Sequence, residues 1–269
     1  MLGLHLGDNL PLMADMPDGS CDLIYIDPPF FTRRKRTAVR SDAAYDDSWR
    51  GGRDEYLDFI RRRLQQCQRL LPRHGTLYVH LDFRVAHHVR ILLDDLFGER
   101  NFLNEIIWHY RTGGLSKQWF GRKHDTILVY AKSLGDHRFN LQREGAYRTD
   151  GLNHDAAGRP YKNTKNGRLY FNPEGPALSD VWDIPFLSTV SRERTDWPTQ
   201  KPLALLERII RASSDPGDTV ADFFCGSGTT LIAARRLARE SLGCDIAPQA
   251  IAITRERLDG TTHPLVLPI

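Results

Sequence analysis

The sequence predicts an α/β fold, built on a doubly wound, mostly parallel sheet with helices on both faces. Three observations carry that expectation. Short apolar runs alternate with amphipathic stretches, several of the runs end in an acid, and a glycine-rich turn follows one of them.

Residues 2–6, 22–26 and 76–81 ("TLYVHL") read as strands, as do 126–130 ("TILVY"), 219–224 ("TVADFF") and 241–246 ("SLGCDI"). In 54–71, Leu57, Ile60, Leu64, Cys67 and Leu71 recur every three or four residues, which is one face of a helix. Val85, Val89, Leu92 and Leu96 do the same in 85–97. Further helices are expected over 202–213, 229–239 and 248–258, with Pro202 and Pro248 suited to first turns. Residues 111–195 break the alternation. They are rich in Gly, Asn, Arg, Tyr and Trp, and "GLNHDAAGRPYKNTKNGRLYFNPEG" reads as turns and short hairpins. This segment is expected to be an insertion on the sheet or a small second domain.

A chain of 269 residues can bury a full core as one large domain, with or without an insertion. No apolar run reaches 18 residues, and the first ten residues lack the pattern of a secretory signal. Neither a membrane span nor secretion is expected. Cys21, Cys67, Cys225 and Cys244 are scattered without a C-x-x-C pair, which suits reduced thiols in a cytoplasm better than disulfides or a metal site. Basic charge is gathered in two places. Residues 33–53 hold seven Arg/Lys against three Asp, and 111–195 hold fourteen against nine acids. Such segments suit a polyanion, and equally a solvated basic face.

The chemistry-bearing residues stand at strand ends. In "DTVADFFCGSGTT" an apolar run ends in Asp222, turns at Gly226 and Gly228, and enters a helix at Thr229–Thr230. Glycines there let backbone approach a ligand, and the helix start offers unpaired N–H groups. Asp245, seventeen residues past Gly228, ends the next run, where an acid can accept from both hydroxyls of a ribose. A nucleoside cofactor is expected, with a purely structural turn as the alternative. Leu231 breaks the G-x-G-x-x-G spacing and disfavours a dinucleotide. Asp27, in "DLIYIDPPFF", and Asp8 end two more runs, and ligands of such sheets bind beyond strand ends. As strand terminators, Pro28 and Pro29 explain themselves, but neither the acid before them nor Phe30 after them.

"DPPF" with "DFFCGSGTT" resembles motifs IV and I of the S-adenosylmethionine-dependent DNA amino-methyltransferases. Their order along the chain resembles the circularly permuted β group. "HLGDNLPLMADMPDGSCDLIYIDPPF", "LFGERNFLNEIIWHY" and "TQKPLALLERIIRASSDPGDTVADFFCGSGTTLIAARRLARESLGCDI" resemble that family's successive segments. The resemblance implies a Rossmann-like methyltransferase fold in three parts. A catalytic half (1–110) includes a mobile basic loop at about 31–53, followed by an inserted target-recognition region (111–195) and a cofactor-binding half (196–269).

It further implies a methyl transfer from S-adenosylmethionine to the exocyclic amine of a base flipped out of double-stranded DNA. Asp27 and the Pro28 carbonyl would accept the two N–H bonds of the amine, Pro29 would stiffen the loop, and Phe30 would stack on the base. Asp8 would contact the cofactor adenine and Asp245 its ribose. Phe224, Gly226 and Gly228 would line its methionine part, whose carboxylate Lys201 would hold with Thr229 or Thr230, and Cys225 would also belong to the cofactor site. Asp27 would also favour the cofactor's sulfonium. Asp222 has two readings, as a cofactor residue or as an acceptor that organises the glycine loop, and Lys201 also reads as a surface lysine. Arg33, Arg34, Lys35, Arg36 and Arg40 would grip DNA phosphates. Trp119 and Trp182 read either as groove-facing aromatics or as core anchors.

The family often has Tyr where this chain has Phe30, and a small residue such as Ala where it has Cys225. The acid of the motif favours adenine N6 over cytosine N4. A homodimer and a cognate restriction endonuclease are the partners that the resemblance allows, in a cytoplasmic setting. The rival readings are an RNA or protein amine methyltransferase and a non-catalytic DNA-binding module.

Overall fold

The computed structural model describes residues 3–32, 49–111, 115–188, 190–195 and 197–260, and the backbone of 35–37 and 44–46. Its main body is an eight-stranded sheet flanked by helices. Along the chain run β1 (Gly3–Leu6), α1 (Asn9–Asp15), β2 (Leu23–Ile26), β3 (Lys35–Thr37), β4 (Ala44–Asp46), α2 (Gly52–Leu70) and β5 (Thr76–Leu81). Then come α3 (Ala86–Phe97), β6 (Phe102–His109), β7 (His124–Ala131), β8 (Asn153–His154), β9 (Pro160–Thr164), β10 (Gly167–Tyr170) and β11 (Val181–Asp183). The last elements are α4 (Leu203–Ser213), β12 (Thr219–Asp222), α5 (Thr229–Arg236), β13 (Glu240–Asp245) and α6 (Pro248–Asp259).

The sheet order is β1-β13-β12-β2-β5-β7-β6-β11. Its first five strands are parallel, β7 runs antiparallel to both neighbours, and β11 is parallel to β6. Alternation along β2 shows how both faces are covered. Ile24 and Ile26 pack with Ile60, Leu64 and Cys67 of α2 and Val89 of α3, whereas Leu23 and Tyr25 join Leu205, Ile209 and Ile210 of α4. A fully buried aliphatic side chain contributes roughly 1.5–3 kcal/mol, so these two stripes hold the layers together.

The connections set the position of the site. From β2 the chain moves through α2 to β5, towards one edge, and from adjacent β12 it moves through α5 to β13, towards the other. Between β2 and β12 the strand order therefore diverges, which opens a crevice beyond their carboxyl ends. Asp27 follows one strand and Asp222 ends the other.

Every strand and helix expected above is present, with ends shifted by a few residues. Strands β6 and β11 were not expected. Pro248 is the first residue of α6, while Pro202 sits one place earlier, as the N-cap of α4. Residues 111–195 contribute both to the main sheet and to a separate unit. His124–Ala131 and Val181–Asp183 are strands of the main sheet, because their buried side chains complete its core. Only Asn140–Ser179 forms a separate compact unit, a three-stranded antiparallel sheet in the order β10-β9-β8. Arg159 stacks on Tyr170 and Arg168 on Tyr161 across that small sheet. Trp182 is buried in the main core, whereas Trp119 is 55% exposed, so an anchor role holds for the first and not for the second.

All four cysteines are buried thiols. Burial raises Cys225 well above its ordinary value, so it carries no thiolate for nucleophilic work. Among the described residues, no helix is long and apolar enough to cross a membrane, and no group of three or more His, Cys, Asp or Glu is placed to hold a metal. Arg33, Arg34 and Arg40 lie outside the described residues. Lys35 and Arg36 are described by backbone alone, in the β3–β4 ribbon.

Candidate active site

A cleft of about 1240 Å³ runs along the crevice, and its walls include Asp8, Asp27, Pro28, Pro29, Phe30, Lys201, Asp222, Phe224, Cys225, Gly226, Thr229, Thr230 and Asp245. Gly228 is not part of the wall and stands at the N-cap of α5, against Thr254.

On the catalytic side, β2 delivers Asp27 to the cleft and the two prolines end the ladder. Asp27 is ion-paired with Lys201, which the chain supplies just before α4, and both side chains are largely buried. The Lys201 ammonium also lies 5.4 Å from the Phe30 ring centroid. Phe30 leans on the ring of His80, 6.0 Å away. His80 is fully buried and belongs to a polar chain. Its Nδ1 is 2.8 Å from the Tyr25 hydroxyl and its Nε2 3.2 Å from Asp125 Oδ2, while Tyr110 donates to Asp125 Oδ1 at 3.1 Å. Burial opposes the charge on Asp125, but His80, Lys201 and Tyr110 outweigh it and hold the carboxyl below its usual range.

On the other side, the loop after β12 is built around Asp222. This buried carboxylate accepts from the Phe224 N–H at 3.0 Å and the Thr230 hydroxyl at 2.6 Å, tying strand end to helix start. Asp245 accepts from Gly226 N–H and Ala247 N–H, both at 2.9 Å. Beneath the loop, Thr254 of α6 donates to the Gly226 carbonyl at 2.9 Å, and Arg257 donates to the Ser227 carbonyl at 2.5 Å. Gly226 (φ +51°) lies under the Trp197 indole, and Gly228 (φ +76°) is the left-handed N-cap of α5.

The two halves are also joined by α1. Asn9 donates to the Phe223 carbonyl at 2.7 Å and accepts from Arg63 Nε at 2.7 Å. Arg63 donates to Asp8 at 2.9 Å and stacks on Phe59 with its guanidinium 3.5 Å from the ring centroid. Asp8 caps α1 through the Leu10 N–H as well. Asn9, Arg63, Tyr25, His80, Tyr110, Asp125, Trp197, Thr254 and Arg257 join the site without having been expected there from the sequence. A signal existed for two of them. Arg63 is a cation on the apolar stripe of α2, and His80 is a polar residue inside "TLYVHL".

Asp222 predicts a pH effect. Burial, reinforced by Asp27 and Asp245 and opposed by Thr230 and Phe224, raises its pKa to about 7. An unfolded Asp titrates near ~3.9, so between about pH 4 and 7 the native chain holds a proton that the unfolded chain has lost. Stability from this group is therefore present below that window and falls as pH rises through it, by on the order of 4 kcal/mol in total. Asp222→Asn keeps the shape and removes the titration. Thermal unfolding of both proteins should show the difference, Asn variant minus parent, growing from pH 5 to pH 8. Parallel curves would contradict this role.

The donors and acceptors present fit a cationic nucleoside. Carboxylates Asp8, Asp27 and Asp245 face the cleft, glycine backbone opens it, and Lys201 can meet an anionic group. The model for a DNA methylase family, covering the N6-adenine and N4-cytosine enzymes, matches residues 21–256. The chain belongs to that family. It is an S-adenosylmethionine-dependent DNA methyltransferase of the adenine-N6 or cytosine-N4 type.

Among its relatives, the type II methyltransferase M.HpaI of Haemophilus parainfluenzae is 31% identical over 92% of this chain and 71% of its own length. M1.MboII of Moraxella bovis is 32% identical, over 90% and 91%. The DNA adenine methyltransferase YhdJ of Escherichia coli K12 is 28% identical, over 96% and 82%. Solved structures agree on the fold. A protein of Thermus thermophilus assigned as a DNA modification methylase, complexed with S-adenosylmethionine, superposes with a TM-score of 0.63 at 24% identity, covering 97% of this chain and 94% of its own. The cytosine-N4-specific PvuII methyltransferase gives 0.66 at 18%, covering 98% and 88%.

Proposed function

We propose that this enzyme methylates the N6 amine of adenine in duplex DNA, at a specific sequence. The carrying observation is that Asp27, with Pro28 behind it, opens into the same cleft as the glycine loop after β12. S-adenosylmethionine supplies the methyl group. An exocyclic amine is a poor nucleophile because its lone pair is delocalised into the ring. Asp27 and the Pro28 carbonyl accept its two N–H bonds and so favour a pyramidal nitrogen, which is electrostatic preorganisation without a covalent intermediate. Pro29 keeps the loop stiff and Phe30, backed by His80, gives the base a face to stack on. Asp245 accepts from the ribose, Asp8 faces the cofactor adenine, and Phe224, Cys225, Gly226, Thr229 and Thr230 line the remainder. Lys201 neutralises Asp27 before the ligands arrive and meets the methionine carboxylate afterwards. Asp222 is the organiser of the glycine loop.

Adenine is favoured because the motif carries an acid rather than a serine, and because one relative, YhdJ, is named a DNA adenine methyltransferase. Residues 111–195 supply sequence recognition and the basic stretch Arg33, Arg34, Lys35, Arg36 and Arg40 grips phosphates. The β-group assignment, a homodimer, a cognate restriction endonuclease and a cytoplasmic location complete the reading. Sequencing modified bases in DNA from a host that expresses the chain and lacks its own methylation tests it. The expected result is N6-methyladenine within one short recurring sequence. N4-methylcytosine in its place would overturn the choice of base.

A further inference from the structure

On the catalytic wall of the cleft, two loops present a column of alternating rings and guanidinium groups. The first loop follows β5, which lies beside β2 in parallel register, so it emerges at the same end as Asp27. There Asp82 is buried and accepts from the Arg84 N–H at 2.9 Å and from the Arg84 guanidinium, which leaves Phe83 facing outward. The second loop joins β6 to β7, where Ser116 Oγ accepts from the Gln118 N–H at 3.1 Å and the Trp119 N–H at 3.4 Å.

The Arg122 guanidinium lies 4.0 Å from the Phe83 centroid and 5.3 Å from that of Trp119, and Arg84 lies 4.6 Å from Phe83. The order is therefore Trp119, Arg122, Phe83, Arg84. Phe83 (39% exposed), Trp119 (55%) and neighbouring Phe120 (98%) stay open to solvent, so the column is not a core. Arg122 has no carboxylate within 4.0 Å among the described residues. Residues 111–124 carry Arg111, Lys117, Arg122 and Lys123 without a single acid.

Exposed aromatics grouped beside a reaction cleft mark a binding surface. Interleaved cations select its occupant. Rings and guanidinium planes stack on bases of any sequence, while unpaired cations meet phosphates. We propose that Phe83, Arg84, Trp119 and Arg122 form a platform that stacks a nucleotide next to the target base, in the strand that carries it. The proposal rests on the cleft being a DNA methylation site.

The test uses the full chain, a fluorescent single-stranded oligothymidylate and a salt series. Trp119→Ala should weaken binding about tenfold or more, and Trp119→Phe should keep most of it. Arg122→Ala should reduce the slope of log affinity against log salt by about 0.7, the share of one phosphate on a single strand. In methylation assays KM for duplex DNA should rise more than kcat falls, with cofactor affinity within twofold of the parent. Affinities and salt slopes equal to the parent in both alanine variants would overturn the platform while leaving the methylation site intact. A parent chain that methylates no DNA would instead overturn the reading of the cleft, and the platform with it.

Discussion

Asp27→Ala should reduce methyl transfer to DNA by about 10²–10³-fold or more, because it removes a preorganised acceptor from the reacting amine. Cofactor affinity should change far less, since the glycine loop is held by Asp222, Thr254 and Arg257 and not by Asp27. The substitution also strips Lys201 of its partner, and both side chains are largely buried, so some loss of stability accompanies it. Asp27→Asn separates the effects. It keeps the volume and one acceptor oxygen but not the charge, and should fall between parent and alanine variant in rate. Single-turnover transfer of labelled methyl, with cofactor binding measured in parallel, checks both. An alanine variant retaining a tenth of parental activity would exclude Asp27 from the role assigned to it.

Gly228→Ala should impair cofactor binding and fold stability together. At φ +76° a Cβ is strained, and it would stand 2.4 Å from Thr254 Cγ2 and 2.7 Å from Thr254 Oγ1. Thr254 is fully buried and donates to the Gly226 carbonyl, so it has no room to retreat without releasing the loop. Backbone strain and the clash together are expected to cost about 2–4 kcal/mol, with cofactor affinity falling at least tenfold. Adding Thr254→Ala removes the clash but also the hydrogen bond, so the double variant should recover part of the loss and not all of it. Additive losses in the double variant, read by thermal unfolding and equilibrium binding, would show that Thr254 is not what the new methyl meets.

The parts legible in the sequence were those written in a single run. Asp27 and Asp222 each close an apolar strand, and Gly226 and Gly228 stand where backbone must take positive φ, so strand, turn and helix could be read directly. The two-face covering of the sheet was legible for the same reason, because its parallel strands are continuous apolar runs. Strand β6 was harder. Only Ile106 and Trp108 are fully buried along it, and the exposed pair Asn104 and Glu105 interrupts its apolar run. That "TILVY", a legible strand, joins the main sheet was not legible, because its pairing with β5 and β6 is set by residues distant in sequence.

Long-range polar ties were the least legible. Arg63 reaches Asp8 and Asn9 across more than fifty residues, and Lys201 meets Asp27 across 174. The sequence assigned Asp8 and Lys201 to a ligand from their motifs alone. The fold gives each a protein partner, Arg63 for Asp8 and Asp27 for Lys201.

Methyl transfer from this cleft to an exocyclic base amine in DNA can be measured outright. Its most direct test is incubation of the purified chain with labelled S-adenosylmethionine and unmethylated plasmid DNA or RNA, followed by nucleoside analysis. Label is expected in the DNA, as N6-methyladenine or N4-methylcytosine, with none as 5-methylcytosine. Label confined to RNA, or found at cytosine C5, would contradict it.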